Sequence, residues 1–127
     1  MRGDICWDLR RESGIVMIDW IRVQTLQEEL GEADFPPVVE LFLDEIESTV
    51  MRLRHSDPDQ LESDLHFLKG CAGNLGFRKF RELCVRGEAQ LREGGSDQVD
   101  LGAVLDCYAA TKKEFVGRMP GRYSGVA

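Results

Sequence analysis

The sequence predicts an all-α fold: an up-and-down four-helix bundle with a short additional N-terminal helix. Three observations carry this. Apolar residues recur every three or four positions along four long segments. No stretch shows the period-two alternation of a strand. The connections between the periodic segments are short, which sets successive helices antiparallel. At 127 residues, 43% hydrophobic and 31% charged, the chain suits one domain with a core that needs neither disulfide nor metal.

Residues 1–17 have weak periodicity and read as an N-terminal tail. "DWIRVQTLQEEL" (19–30) predicts the short first helix, with Ile21, Leu26 and Leu30 on one side and Gly31 as its stop. "FPPVVELFLDEIESTVMRLR" (35–54) predicts a longer one, capped by Asp34 with its prolines in the first turn. Phe35, Val38, Val39, Phe42, Ile46, Thr49, Val50 and Leu53 follow the 3.6-residue repeat, and Leu41 and Leu43 widen the apolar face. After the turn "HSDPDQ", Ser56 or Asp57 caps the next helix with Pro58 at its first position. Leu61, Leu65, Leu68, Ala72 and Leu75 form its stripe, and Gly76 closes it. Residues 77–94 carry Phe77, Phe80, Cys84, Gly87 and Leu91. Asp97 or Asp100 opens the last helix, with Leu101, Val104, Leu105, Tyr108, Thr111 and Phe115 facing inward. The bundle is thus expected over 18–118, with 119–127 as a C-terminal tail.

Composition narrows the function. A net charge of −7 argues against nucleic acid and anionic membrane as partners. No apolar run approaches a membrane span, and the N-terminus lacks the apolar core of a signal peptide. The expected compartment is the cytoplasm, where Cys6, Cys71, Cys84 and Cys107 are reduced thiols, Cys84 and Cys107 as small core residues. With no CxxC pair and two histidines, a metal site is not expected. The Arg2-Gly3-Asp4 tripeptide is read as chance, and His55, at a helix end, is given no role.

His66 is different. On a helix advancing about 100° per residue, the apolar stripe centres about 140° from it, so His66 points to water. Glu62, Ser63, Lys69, Gly70 and Gly73 share its side. An exposed histidine is ordinarily only a surface residue, but that leaves Gly70 unexplained, because glycine inside a helix costs about 1 kcal/mol against alanine. A histidine that accepts a phosphoryl group explains the set. Neutral imidazole is a nucleophile near pH 7, Gly70 one turn on admits a partner protein, and Lys69 reaches the phosphate oxygens. An exposed pair of that kind contributes about 0.2–1 kcal/mol, so Lys69 orients phosphate rather than driving the chemistry.

His66-Phe67-Leu68-Lys69-Gly70, continuing through Ala72 and Asn74-Leu75-Gly76, resembles the signature of histidine-containing phosphotransfer (HPt) domains. Cys84 and Glu88 in the next helix also fit that family's pattern. The resemblance implies a helical bundle in which His66 takes a phosphoryl group from the aspartyl phosphate of a response-regulator receiver domain, that of a hybrid sensor kinase included, and gives it to another receiver. It implies Lys69 as the phosphate-contacting cation and Gly70 as the point of access, with Gly73, Phe67 and Glu62 in the docking surface. It also implies a carrier without autokinase activity and without a cofactor of its own, Mg²⁺ coming from the receiver, acting as a monomer. Phe67 departs from the commoner small residue and Cys71 from the commoner serine or alanine. Phe67 either packs against a neighbouring helix or stands exposed as an apolar anchor.

Three other readings compete. A histidine-kinase dimerisation domain would carry an acidic residue after His66 and a proline soon after. A carboxylate-bridged metal bundle needs Glu-x-x-His pairs, and Glu62 lies four residues from His66. A non-catalytic adaptor that binds a receiver or another signalling protein leaves the face opened by Gly70 without a purpose.

Overall fold

The computed structural model describes residues 16–55, 57–94 and 99–119, and among them every regular element is helical. In chain order these are α1 (Trp20–Arg52), a 3₁₀ turn (Leu53–His55), α2 (Pro58–Leu75), α3 (Arg78–Arg92) and α4 (Leu101–Arg118). Both expected tails fall largely outside the described residues, as do Cys6, Ser56 and Asp97.

The two helices expected at 19–30 and 35–54 meet at a single residue. Gly31, at φ 84° and ψ 167°, breaks α1, and helical geometry resumes at once. Asp34 is therefore inside the restarted helix and caps nothing. Pro36 and Pro37 sit close behind the break, where few amide hydrogen bonds are lost. The true cap of α1 is Asp19, whose carboxylate accepts from the amides of Ile21 and Arg22. Ile21 and Leu41 are exposed, contrary to the apolar faces expected of them; Val23, Leu26 and Leu43 are the buried ones.

α2 begins and ends as expected. Asp57 accepts from the Gln60 amide at 2.8 Å with Pro58 in the first turn. Gly76 adopts φ 81°, and the Phe77 amide reaches back to the Ala72 carbonyl at 2.9 Å, closing the helix as a Schellman motif. Leu61, Leu65, Leu68, Ala72 and Leu75 are all buried.

α2 packs on α1 and on α3, and α3 on α4. α4 returns to α1 through Glu47, which accepts from Tyr108 at 2.8 Å and pairs with Lys112. Burial pushes the Glu47 carboxyl up, but Lys112 and Tyr108 outweigh it and hold it below its ordinary value. A buried carboxylate, Asp64, joins α1 to α2 through Arg52 at 2.9 Å.

The short N-terminal arm closes the end of the bundle at the α2–α3 turn. The Met17 carbonyl accepts from the Arg78 and Lys79 amides, satisfying the first turn of α3, which has no side-chain cap. The Asp19 amide donates to the Gly76 carbonyl at 2.7 Å, and Arg22 Nε donates to the Asn74 carbonyl at 3.0 Å. Below them Trp20 stacks on Phe115 at 5.9 Å, and Phe115 meets Phe77 edge-on at 5.5 Å. This end of α2 is thereby fixed, and with it the helix that carries His66.

Candidate functional site

His66 lies near the middle of α2 with its side chain 65% exposed, as the apolar stripe requires. It is not free. Its Nδ1 lies 2.9 Å from Oε2 of Glu88, which α3 supplies from below. Glu88 is a buried carboxylate, its side chain 3% exposed. Its Oε1 binds Lys69 Nζ at 3.0 Å, and its Oε2 also accepts from Arg92 at 2.7 Å. Arg92 in turn gives its Nε to Glu62 at 2.9 Å.

Burial alone would push the Glu88 carboxyl up. The hydrogen bonds from Lys69 and His66 and the charges of Lys69 and Arg92 outweigh it, so Glu88 titrates below its ordinary 4.5. Glu88 is ionised at neutral pH and carries no proton, so it accepts, and His66 Nδ1–H donates. That fixes the ring tautomer. In the neutral ring the lone pair is then on Nε2, the nitrogen that Glu88 does not hold.

Three pairs run down the α2–α3 seam in one antiparallel register: Glu62 with Arg92, His66 with Glu88, and Gly73 with Arg81. Each step forward on α2 is matched by an equal step back on α3. An open cleft of about 380 Å³ beside the ring is lined by Asp59, Glu62, Ser63, His66, Glu88 and Arg92.

The expected site residues divide accordingly. Lys69 is beside the ring, but as a Glu88 partner with a side chain 26% exposed rather than a cation waiting in solvent. A Cβ on Gly70 would meet nothing within 4 Å, so the surface one turn beyond His66 is bare. A Cβ on Gly73 would instead touch the Arg81 side chain at 3.5 Å, so this glycine lies beneath an arginine. Glu62 lines the cleft and pairs there with Arg92. Phe67 is 40% exposed, so most of the side chain is covered and the rest reaches solvent.

Glu88 and Arg92 were missed as site residues. The signal for Glu88 was in the sequence: it falls four residues after Cys84 and one after Gly87, a carboxylate on the buried stripe of α3. Among the described residues no group of three or more His, Cys, Asp or Glu is placed to hold a metal ion. No helix among them is long and apolar enough to cross a membrane. Cys71, Cys84 and Cys107 are buried free thiols, and burial above all, with the nearby Glu88 charge, pushes Cys84 up to about 12.

The family model for the Hpt domain matches residues 37–114, well over half of the chain and the whole of the α2–α3 seam. No curated protein matches the chain. Among solved structures, the crystal structure of a rice protein described as a histidine-containing phosphotransfer protein is 20% identical, with 78% of this chain and 73% of that chain covered and a TM-score of 0.58. That likeness is one of fold.

Proposed function

The chain belongs to the Hpt domain family, and from that premise we propose that it is a phosphocarrier of a multistep phosphorelay, His66 taking a phosphoryl group from a receiver aspartyl phosphate and giving it to another receiver. The observation that carries this reading is the held ring: a side chain 65% exposed whose Nδ1 is bound to a buried carboxylate, which leaves Nε2 for the partner. The Nε2 lone pair attacks phosphorus as the bond to the aspartyl oxygen breaks, and the electron pair leaves with the aspartate carboxylate. No proton has to move. The ring becomes positively charged with Nδ1–H still on Glu88, whose negative charge opposes the charge developing on the ring. Return to the second aspartate reverses the step.

Lys69, tethered to the other oxygen of the same carboxylate, offers its charge to the phosphoryl oxygens. Gly70 lets the partner's backbone approach within bonding distance. Mg²⁺ and the acidic pocket belong to the receiver, and this chain supplies no kinase chemistry. The test is to incubate the protein with a phosphorylated receiver domain and to look for acid-labile, base-stable label. Labelling is expected in the wild type and lost in His66→Gln. Equal labelling of the variant would refute His66 as the acceptor.

A further inference from the structure

Along the seam, every cation near His66 is spoken for except one. Lys69 and Arg92 are bound to Glu88, and Arg92 also to Glu62. The Arg81 guanidinium makes no hydrogen bond or ion pair among the described residues. Its exposed side chain passes over Gly73, where a Cβ would touch its Nε at 3.5 Å. Gly73 is seven residues from His66, close to two full turns, so it shares the histidine's face about 10 Å further along the helix.

Arg81 is also not alone. A recess of about 240 Å³ at the α2–α3 corner is bounded by Arg22, Arg78 and Arg81 around Gly73 and Gly76, with Asp19 at one edge. Arg22 is oriented by the Asn74 carbonyl and makes only a 4.0 Å contact to Glu29. Arg78, well exposed, lies 3.5 Å from Asp19. Three arginines therefore meet at one corner of a chain whose net charge is −7.

We propose that this corner docks an acidic segment of the same partner that meets His66, with Arg81 as its principal contact. This rests on the phosphocarrier reading. A partner that keeps a phosphorylated aspartate and a divalent cation in an acidic pocket presents a negative face. An acidic carrier would repel that face everywhere except along a basic strip. The strip lies on the C-terminal side of His66, past the bare surface at Gly70, so it fixes the partner's orientation as well as its approach.

The experiment uses a receiver domain that transfers phosphate to the wild-type chain. Its dissociation constant is measured against the His66→Gln chain, where no transfer intrudes, and against His66→Gln with Arg81→Glu, Arg81→Lys or Lys113→Glu. Lys113 is an exposed lysine on α4. Arg81→Glu is expected to weaken binding about 3- to 10-fold at low salt, with the difference shrinking at high salt. Arg81→Lys should keep most of the affinity, and Lys113→Glu should leave it unchanged. If Arg81→Glu binds as tightly as its parent, or weakens no more than Lys113→Glu, the docking corner is wrong while the phosphocarrier reading stands. If no receiver labels the wild type, the phosphocarrier reading fails and the docking corner falls with it.

Discussion

Glu88→Gln keeps the shape of the side chain that holds His66 and removes its charge. The wild-type carboxylate accepts from His66 at 2.9 Å, Lys69 at 3.0 Å and Arg92 at 2.7 Å. The amide has one acceptor oxygen and sets an NH₂ donor where the other oxygen stood, so at least one of the three donors faces another donor. Removing one member of a fully buried ion pair costs about 3–5 kcal/mol. Here the partners reach water, His66 and Arg92 most of all, and they rehydrate when released. The loss therefore settles near that of one charged hydrogen bond, about 2 kcal/mol, measured by urea unfolding near pH 7. The sign with pH follows from the lowered carboxyl. Its stabilisation is complete above the ordinary value of 4.5 and is lost as pH falls through the lower folded value. The gap between wild type and variant should be open at neutral pH and close in acid. A gap of the same size at pH 3 and pH 7 would mean that the charge of Glu88 contributes nothing, and the account of the seam would fail. The same variant removes the negative charge beside Nδ1, and phosphotransfer should slow about tenfold, equivalent to about 1.4 kcal/mol.

Gly70 in α2 and Gly76 at its C-cap should respond in opposite directions. Gly76→Ala places a Cβ 2.7 Å from the Asp19 carbonyl oxygen at φ 81°, and should cost at least about 2 kcal/mol in urea unfolding. Gly70→Ala meets open space and should gain about 0.5–1 kcal/mol, whereas Gly70→Gln should fold normally and slow transfer; shifts of the same sign for the two alanine variants would contradict the geometry. Cys84, buried with its thiol pushed up to about 12, should resist an aromatic disulfide reagent until the chain unfolds, and rapid native-state labelling at that residue would show the core to be open there.

What could be read from the sequence was what is local. The start of α2 at Asp57-Pro58, its stripe and its stop at Gly76 each depend on residues within a turn or two. The exposure of His66 then follows from helix geometry alone. What could not be read were the partners across the seam. Lys69 lies on the outward side of α2, and nothing in α2 says that its amine turns back to a carboxylate on α3. Glu88 carried a visible sign, a charge on an apolar stripe, but its meaning needs the antiparallel register that sets it under His66. α1 shows the same limit. Gly31 was legible as a break, yet helix resumes directly after it with Phe35 and Val39 in the core, so Asp34 has no capping role despite its type.

On the phosphocarrier reading, His66 has two opposed requirements. It must be exposed enough to be reached and fixed enough to be aimed. The fold assigns these to different helices. α2 presents the ring and leaves Gly70 bare beyond it, and α3 holds the ring from beneath through a carboxylate that solvent scarcely touches. The arrangement has a consequence for Lys69. A buried carboxylate left without a partner would be costly, so a lysine that was its only partner could not turn away to a phosphoryl group. Glu88 has three. If Lys69 turns to phosphate on His66, Oε2 still holds both the Nδ1–H of the ring and Arg92. The positive charge that appears on the phosphorylated ring strengthens the first of these at the moment Lys69 is drawn away. Arg92, fixed at its other nitrogen by Glu62, keeps the second. Glu88 thus keeps two of its three partners, both on Oε2, when Lys69 turns to phosphate.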